Sequence, residues 1–374
     1  MGTAIRITGL IMAMALASTS RAYSDDSISP KKAAIAALLS PYDRLQKAID
    51  RYYEIQQAGG WRPIRADKKF YMKGQSAAAI KQLKQRLRIT GEFASDDSST
   101  LFTPALVEAV KKVQHRFGFT QNGVVDARLV KALNLPVEQR IQQLLANLER
   151  LQNNPSAAEG TRLVANIPEY KLYVFEGGQL QFDMDIVVGS EARQTALFSD
   201  EITHIVFSPY WNVPASIVAN EILPAMISDP GYLGKNGYEE TGYEDGLPVI
   251  RQKPGPKNSL GGVKFIFPNE HNIYLHDTPV KGLFKLPKRA FSHGCIRLAE
   301  PAKLAAYLLR NTPGWTAGKI KKAMNAGKEQ WVQLPVPVAV SLNYFTAWVD
   351  DEGLLHLRED IYGLDKAAGG LAQK

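Results

Sequence analysis

The sequence predicts an α+β protein, helical in its front half and mainly β behind it. Three observations carry this expectation. Between residues 80 and 133 apolar positions recur at steps of three and four, the helical period. From Thr161 the pattern changes to short apolar or alternating runs split by glycines and prolines, the signature of strands. The chain has 374 residues, 45% of them apolar, enough for two cores and too apolar for general disorder.

The first segment reads as an address. Residues 1–22 have a thin positive start at Arg6 and an apolar run, Gly9 to Ala17. Small-residue cleavage sites follow at Ala15-Leu16-Ala17 and Ser20-Arg21-Ala22. The run is short for a bilayer span, and no later stretch reaches membrane length. An exported protein without a stable membrane span is expected.

Residues 28–67 read as a helical lead-in, with Leu38, Leu45, Ile49, Tyr52 and Tyr53 near helical spacing. It stops at Gly59-Gly60-Trp61-Arg62-Pro63. Residues 74–136 form a compact three-helix pattern. Ser76 is expected to cap the first helix, with Ile80, Leu83 and Leu87 on one face. Thr103 is expected to cap the second, with Pro104 at its first position and Leu106, Val110, Val113 and Phe117 as its stripe. Gly118 ends it, Asn122-Gly123 turns the chain, and Asp126 caps a short third helix carrying Leu129 and Leu133. Residues 137–155 read as a linker helix closed by Asn153-Asn154-Pro155.

Strands are expected in RLVANI, KLYVFEGGQLQFDMDIVVG, THIVFSPYWNVP, GVKFIFPN and NIYLHDT, with a hairpin turn at Glu176 to Gln179. A helix follows at Pro301 to Arg310. From Pro335 two more strands are expected around Asp350-Asp351-Glu352-Gly353. This gives a β-rich domain at 161–312 and an extension at 313–374.

Composition narrows the chemistry. One cysteine, Cys295, excludes a disulfide framework, a four-cysteine zinc site and an iron–sulfur cluster within one chain. An unpaired thiol in an exported protein is a liability unless it is used. The net charge of +8 suits an anionic polymer such as a cell wall. No dense basic run interleaved with aromatics points to nucleic acid. No HExxH helix is present, and no metal or cofactor is expected. His115, His204, His271 and His356 read as surface or packing histidines. His271 and His276 would face opposite sides of a strand.

The strings that matter are Tyr274-Leu275-His276-Asp277-Thr278 and Phe291-Ser292-His293-Gly294-Cys295-Ile296-Arg297-Leu298. A thiol near pKa 8.5 needs a base to attack a carbonyl at neutral pH. A histidine in reach supplies one and can return the proton to a leaving amine. Gly294 permits a sharp turn whose N–H groups, with that of Cys295, would form an oxyanion hole. Arg297 shares a strand face with Cys295, where it would bind a substrate carboxylate.

Two resemblances add to this. GQSAAAIKQLKQRL and AVKKVQHRFGFTQNGVVDARLVKAL resemble the three-helix peptidoglycan-binding domain of type 1, with asparagine where that family usually has aspartate before Gly123. HDTPVKGLFKLPKRAFSHGCIRL resembles the active-site signature of the L,D-transpeptidases, the YkuD-like catalytic domain, over about Arg162 to Glu300. SPYWNVPASIVANEILP, RQKPGPKNSLGGVKFIFPN and the tail NYFTAWVDDEGLLHLREDIYGLD resemble the YcbB-type branch, with a lid at about 215–262. The lead-in and lid are compact for that branch, which bears on substrate preference.

The second resemblance implies that Cys295 is the acylated nucleophile and His276 the general base and acid. His293 and Gly294 would belong to the oxyanion turn. Asp277 would orient His276 through its backbone carbonyl or its side chain. Tyr274, Ser292 and Arg297 would meet substrate. The implied function is transfer of a peptidoglycan tetrapeptide stem to an amine, 3-3 cross-linking first, in the periplasm of a Gram-negative-type envelope, with sensitivity to carbapenems. The acceptor would be a stem peptide or an envelope protein. Hydrolysis at the same site, or wall binding without catalysis, are the alternatives.

Overall fold

The computed structural model describes residues 40–153 and 160–368. The expected signal at 1–22, the front of the lead-in with Leu38, and the Asn154-Pro155 break lie outside these residues.

The helical half is built from α1 (Pro41–Gln57), α2 (Ala78–Thr90), α3 (Pro104–Arg116), α4 (Ala127–Leu133) and α5 (Val137–Gln152). Ser40 caps α1 by accepting the Asp43 N–H at 3.1 Å, and Asp126 caps α4 by accepting the Leu129 N–H at 2.8 Å. Of the three caps expected from sequence, Asp126 is as expected and Ser76 and Thr103 differ. The Ser76 hydroxyl bonds Thr100 at 2.8 Å instead, because residues 76 and 101 bridge and pull it off the helix end. Thr103 sits at its helix start without a capping bond, and Pro104 takes the first position as expected. A two-strand ladder, β1 (Phe70–Tyr71) with β2 (Val125–Asp126), clips the module.

α5 is not a linker. Ile141, Leu144 and Leu148 are buried in the same core as Leu45 and Ile49 of α1 and Leu83, Leu106 and Val110 of α2 and α3. Its apolar stripe fits a packed helix as well as a connecting one, so periodicity alone did not separate the two.

The β half is one nine-stranded sheet. Its strands are β3 (Thr161–Asn166), β4 (Lys171–Glu176), β5 (Gln179–Gly189), β6 (Ser199–Phe207), β10 (Val263–Ile266), β11 (Leu275–His276), β12 (Ala290–Ser292), β13 (Ile296–Leu298) and β14 (Gln330–Asn343). Their order is β12-β5-β13-β11-β10-β6-β14-β3-β4, and β5 also pairs with β4, so the ladder closes on itself. Alternate residues such as Leu163, Leu172, Val174, Ile186, Phe265 and Leu275 fill the interior.

The expected end of the β domain at 312 falls short. β14 lies between β6 and β3 in the middle of the sheet. The tail was expected to hold two strands and holds three. β15 (Ala347–Val349) and β16 (Leu355–Leu357) form the hairpin around Asp350–Gly353, and its Ala347, Val349, Leu355 and Leu357 pack into the helical core. The C-terminal segment therefore belongs to both halves.

Between β6 and β10 the chain builds a small outer layer. β7 (Trp211–Asn212), β8 (Tyr238–Glu244) and β9 (Leu247–Gln252) pair in the order β7-β9-β8. Helical turns run over Ala215–Ile217, Val218–Ile222 and Leu223–Ser228. Val213, Ile217, Val218, Ile222 and Ile250 give this layer a separate small core.

Candidate active site

Parallel pairing of β11 with β13 sets the site. Leu275 lies opposite Ile296 and His276 opposite Arg297, and the Ile296 N–H reaches the Tyr274 carbonyl at 3.2 Å. Continuing the register puts Tyr274 beside Cys295. Side chains alternate along a strand, so Tyr274, His276, Cys295 and Arg297 share one face. Two strings about 20 residues apart in sequence meet because the hydrophobic alternation of each strand fixes which face is buried.

His276 is 4% exposed. Its Nδ1–H donates to the Asp277 carbonyl at 2.5 Å, which leaves Nε2 as the basic nitrogen. Burial lowers its pKa to about 3, the Arg297 charge pushes the same way, and the Asp277 carbonyl opposes them. The imidazole is therefore neutral. The Asp277 carboxylate points elsewhere: it accepts the Gly262 N–H at 2.8 Å, the Thr278 N–H at 2.7 Å and the Lys281 ammonium at 2.6 Å. Of the two orienting roles open in the sequence, the geometry has the carbonyl on the imidazole.

The Cys295 thiol is half-buried and donates to the Asn272 carbonyl at 3.7 Å. Burial pushes its pKa up to about 11, against hydrogen bonds from Tyr274 and the Arg297 charge. The resting pair is thus a thiol and a neutral imidazole. Burial pushes the Tyr274 hydroxyl pKa well up, and the neighbouring Cys295 sulfur pushes it the same way. The Tyr274 and His276 rings stand 5.7 Å apart. Arg297 keeps its Nε buried without a partner.

The turn before Cys295 uses its own groups. Gly294 has φ 117°, a conformation that disfavours any side chain. Its N–H donates to Ser292 Oγ at 3.2 Å, and that hydroxyl donates to the Cys295 carbonyl at 2.5 Å. Ser292 is buried and holds the turn, and the Gly294 N–H is engaged. His293 leans outward: its Nε2 lies 2.6 Å from Glu221 of the outer layer, which also takes Arg193 at 3.2 Å. Burial lowers the His293 pKa, and Glu221 opposes this.

Other histidines lie apart. His271 is in the Asn269–Asn272 turn and not on a strand, because β11 begins only at Leu275. His356 stacks on Trp348 and bonds Asp350 at 2.7 Å. Sequence reasoning missed Glu221, Arg193, Asn272, Thr195 and Tyr362. None sits in a short motif with Cys295, and each reaches the site only through the folded sheet.

The fold and site define an α+β protein with a thiol and an imidazole on neighbouring strands of a closed sheet. Residues 160–317 match the family of the L,D-transpeptidase catalytic domain, and residues 76–133 match the family described as "Putative peptidoglycan binding domain". Residues 160–317 are thus similar to an L,D-transpeptidase catalytic domain, and they lie behind a stretch similar to a peptidoglycan-binding domain. A protein of Haemophilus influenzae (strain Rd) named "Putative L,D-transpeptidase" is 32% identical over 241 residues, covering 60% of this chain and 48% of that protein. The chain therefore spans about half the length of this curated relative. Solved structures also match. An L,D-transpeptidase from Mycobacterium smegmatis is 13% identical, covering 49% of this chain and 58% of that one, with a TM-score of 0.28. One from Stackebrandtia nassauensis is 14% identical, covering 75% and 97%, with a TM-score of 0.28.

Proposed function

We propose that this protein is a cysteine-dependent L,D-transpeptidase acting on peptidoglycan stem peptides. The observation that supports it most is the strand register that puts Cys295 beside Tyr274 and on one face with a neutral His276 whose Nδ1–H is fixed by a carbonyl.

The chemistry follows from those groups. His276 Nε2 takes the thiol proton as the sulfur attacks the carbonyl of the third-position diamino acid. The carbonyl π pair moves to oxygen, then returns as the C–N bond breaks. The terminal D-amino acid leaves with the proton carried by the imidazolium. An acceptor amine next attacks the thioester and gives a proton to His276, the C–S bond breaks, and the imidazolium passes that proton to the thiolate. In the resting state both groups are uncharged, so the ion pair forms only as substrate arrives. A guanidinium with a buried, unpartnered Nε beside the sulfur suits a stem carboxylate.

The site faces a polymer found outside the cytoplasmic membrane. Among the described residues no helix is long and apolar enough to cross a membrane. We read 1–22 as the export signal and the 74–136 module as the wall anchor.

Product analysis of a defined disaccharide tetrapeptide, alone and with an acceptor stem peptide or an amine, tests the reaction. Release of the terminal D-amino acid with a 3-3 linked dimer is expected. Shortened monomer without dimer would assign hydrolysis, and unchanged substrate would overturn the proposal.

A further inference from the structure

The peptide unit between Gly294 and Cys295 is clamped from behind by residues far away in sequence. Thr195 Oγ1 donates to the Gly294 carbonyl at 2.8 Å. The same hydroxyl accepts the Gly189 N–H at 2.9 Å, at the end of β5. The Thr195 N–H donates to the Tyr362 hydroxyl at 3.2 Å, and that hydroxyl donates to the Gly189 carbonyl at 2.7 Å. Thr195 is 2% exposed and Tyr362 is 7% exposed. A Cβ on Gly189 would come within 2.3 Å of the Arg193 carbonyl and 2.7 Å of the Thr195 nitrogen, so only glycine lets the Thr195 loop lie this close.

Tyr362 is itself held. Its N–H donates to the Tyr344 hydroxyl at 2.7 Å, which donates to Asp360 at 2.6 Å, and the two rings stack at 5.5 Å. A few residues on, Asp365 accepts from Thr346 at 2.8 Å and from Arg150 of α5 at 2.7 Å. The clamp on the turn is thus anchored in the segment that joins both halves.

The geometry points to Thr195, backed by Tyr362, as the positioning residue that aims the Cys295 amide at the oxyanion. The Gly294 carbonyl and the Cys295 N–H belong to one trans peptide plane and point in opposite directions. Fixing the carbonyl toward Thr195 therefore fixes the N–H away from it. The neighbouring Gly294 N–H is already donated to Ser292, so of these two amides it is the Cys295 N–H, on the nucleophile itself, that is open to an incoming oxygen. A preorganised donor of this kind is worth about 10²-fold or more in rate. Without the clamp the peptide plane rocks, and the donor must be ordered during the reaction.

The inference rests on the cysteine acyl-transfer reading above. Its test compares two reactions of Cys295 in the full chain. Acylation by a carbapenem forms the S–C bond while the lactam carbonyl becomes an oxyanion, and collapse breaks the lactam C–N bond with proton transfer to nitrogen. Alkylation by iodoacetamide forms an S–C bond with loss of iodide and develops no oxyanion. Thr195→Val is expected to slow acylation about 10²-fold with alkylation within about threefold of the parent. Thr195→Ser, which keeps the hydroxyl, should restore acylation to within about tenfold, and Tyr362→Phe should show a smaller loss with the same split. Equal acylation by Thr195→Val and parent overturns the inference alone. So does a parallel fall in both reactions, since that marks a merely structural role. A parent chain that takes no carbapenem on Cys295 overturns the acyl-transfer reading and the inference with it.

Discussion

His276 is held neutral by burial, and that has a consequence in acid. Its folded pKa of about 3 lies below the ordinary value of 6.5. Between those two values the unfolded chain binds a proton that the folded chain refuses. Stability therefore rises with pH across the window and falls as pH drops from about 6.5 toward 3. The full loss from this group is on the order of a few kcal/mol. His276→Asn removes the titrating ring. Urea titrations at pH 7 and pH 4.5 should show a smaller acid loss in the variant than in the parent, and an equal loss would count against the buried neutral ring. The same variant should lose about 10²–10⁴-fold in transfer rate, because the base and acid are gone. Cys295 and His276 were legible because both lie in short strings whose chemistry is local. Which part of Asp277 orients the imidazole was not legible. It depends on where Gly262 and Lys281, 15 residues before and four after, place the carboxylate.

The outer layer touches the catalytic turn through Glu221, which bonds His293 and Arg193. All three side chains are partly exposed, so the contact is worth no more than about 1 kcal/mol to global stability. Its effect should instead be on local opening. Glu221→Gln should leave thermal stability nearly unchanged and raise amide hydrogen exchange across 215–228, where few buried apolar contacts hold the helical turns. Unchanged exchange there would show that the pair does not hold the layer down. At this scale strands were the most legible elements. The Glu176 to Gln179 turn and the runs on either side became β4 and β5 as expected. The failures share a cause. The Ser76 cap, the linker role of α5 and the position of β14 are all decided by contacts distant in sequence, and periodicity reports only which face is apolar, not what covers it.

The two halves have separate cores, but one tail contributes to both. Leu357, 1% exposed, comes from the tail yet sits in the core with Leu106 and Leu144, while β14 from the same tail is central to the sheet. Leu357→Ala should cost about 2–5 kcal/mol. Helix loss followed by far-ultraviolet circular dichroism and sheet packing followed by near-ultraviolet dichroism should melt together and shift together in this variant. Two separated transitions would contradict coupling of the two cores through the tail. The sequence pattern divided the chain at 312, just after the helix expected at Pro301 to Arg310. The continuity of the tail across both halves could be seen only once β14 had a place in the sheet. The central claim remains the covalent use of Cys295. Acid-quenching the full chain during turnover of a disaccharide tetrapeptide, then mapping it by mass spectrometry, tests this directly. The account predicts a disaccharide tripeptide thioester on Cys295, and neither adduct nor turnover with Cys295→Ala. Turnover by Cys295→Ala, or turnover that never modifies Cys295, would contradict it.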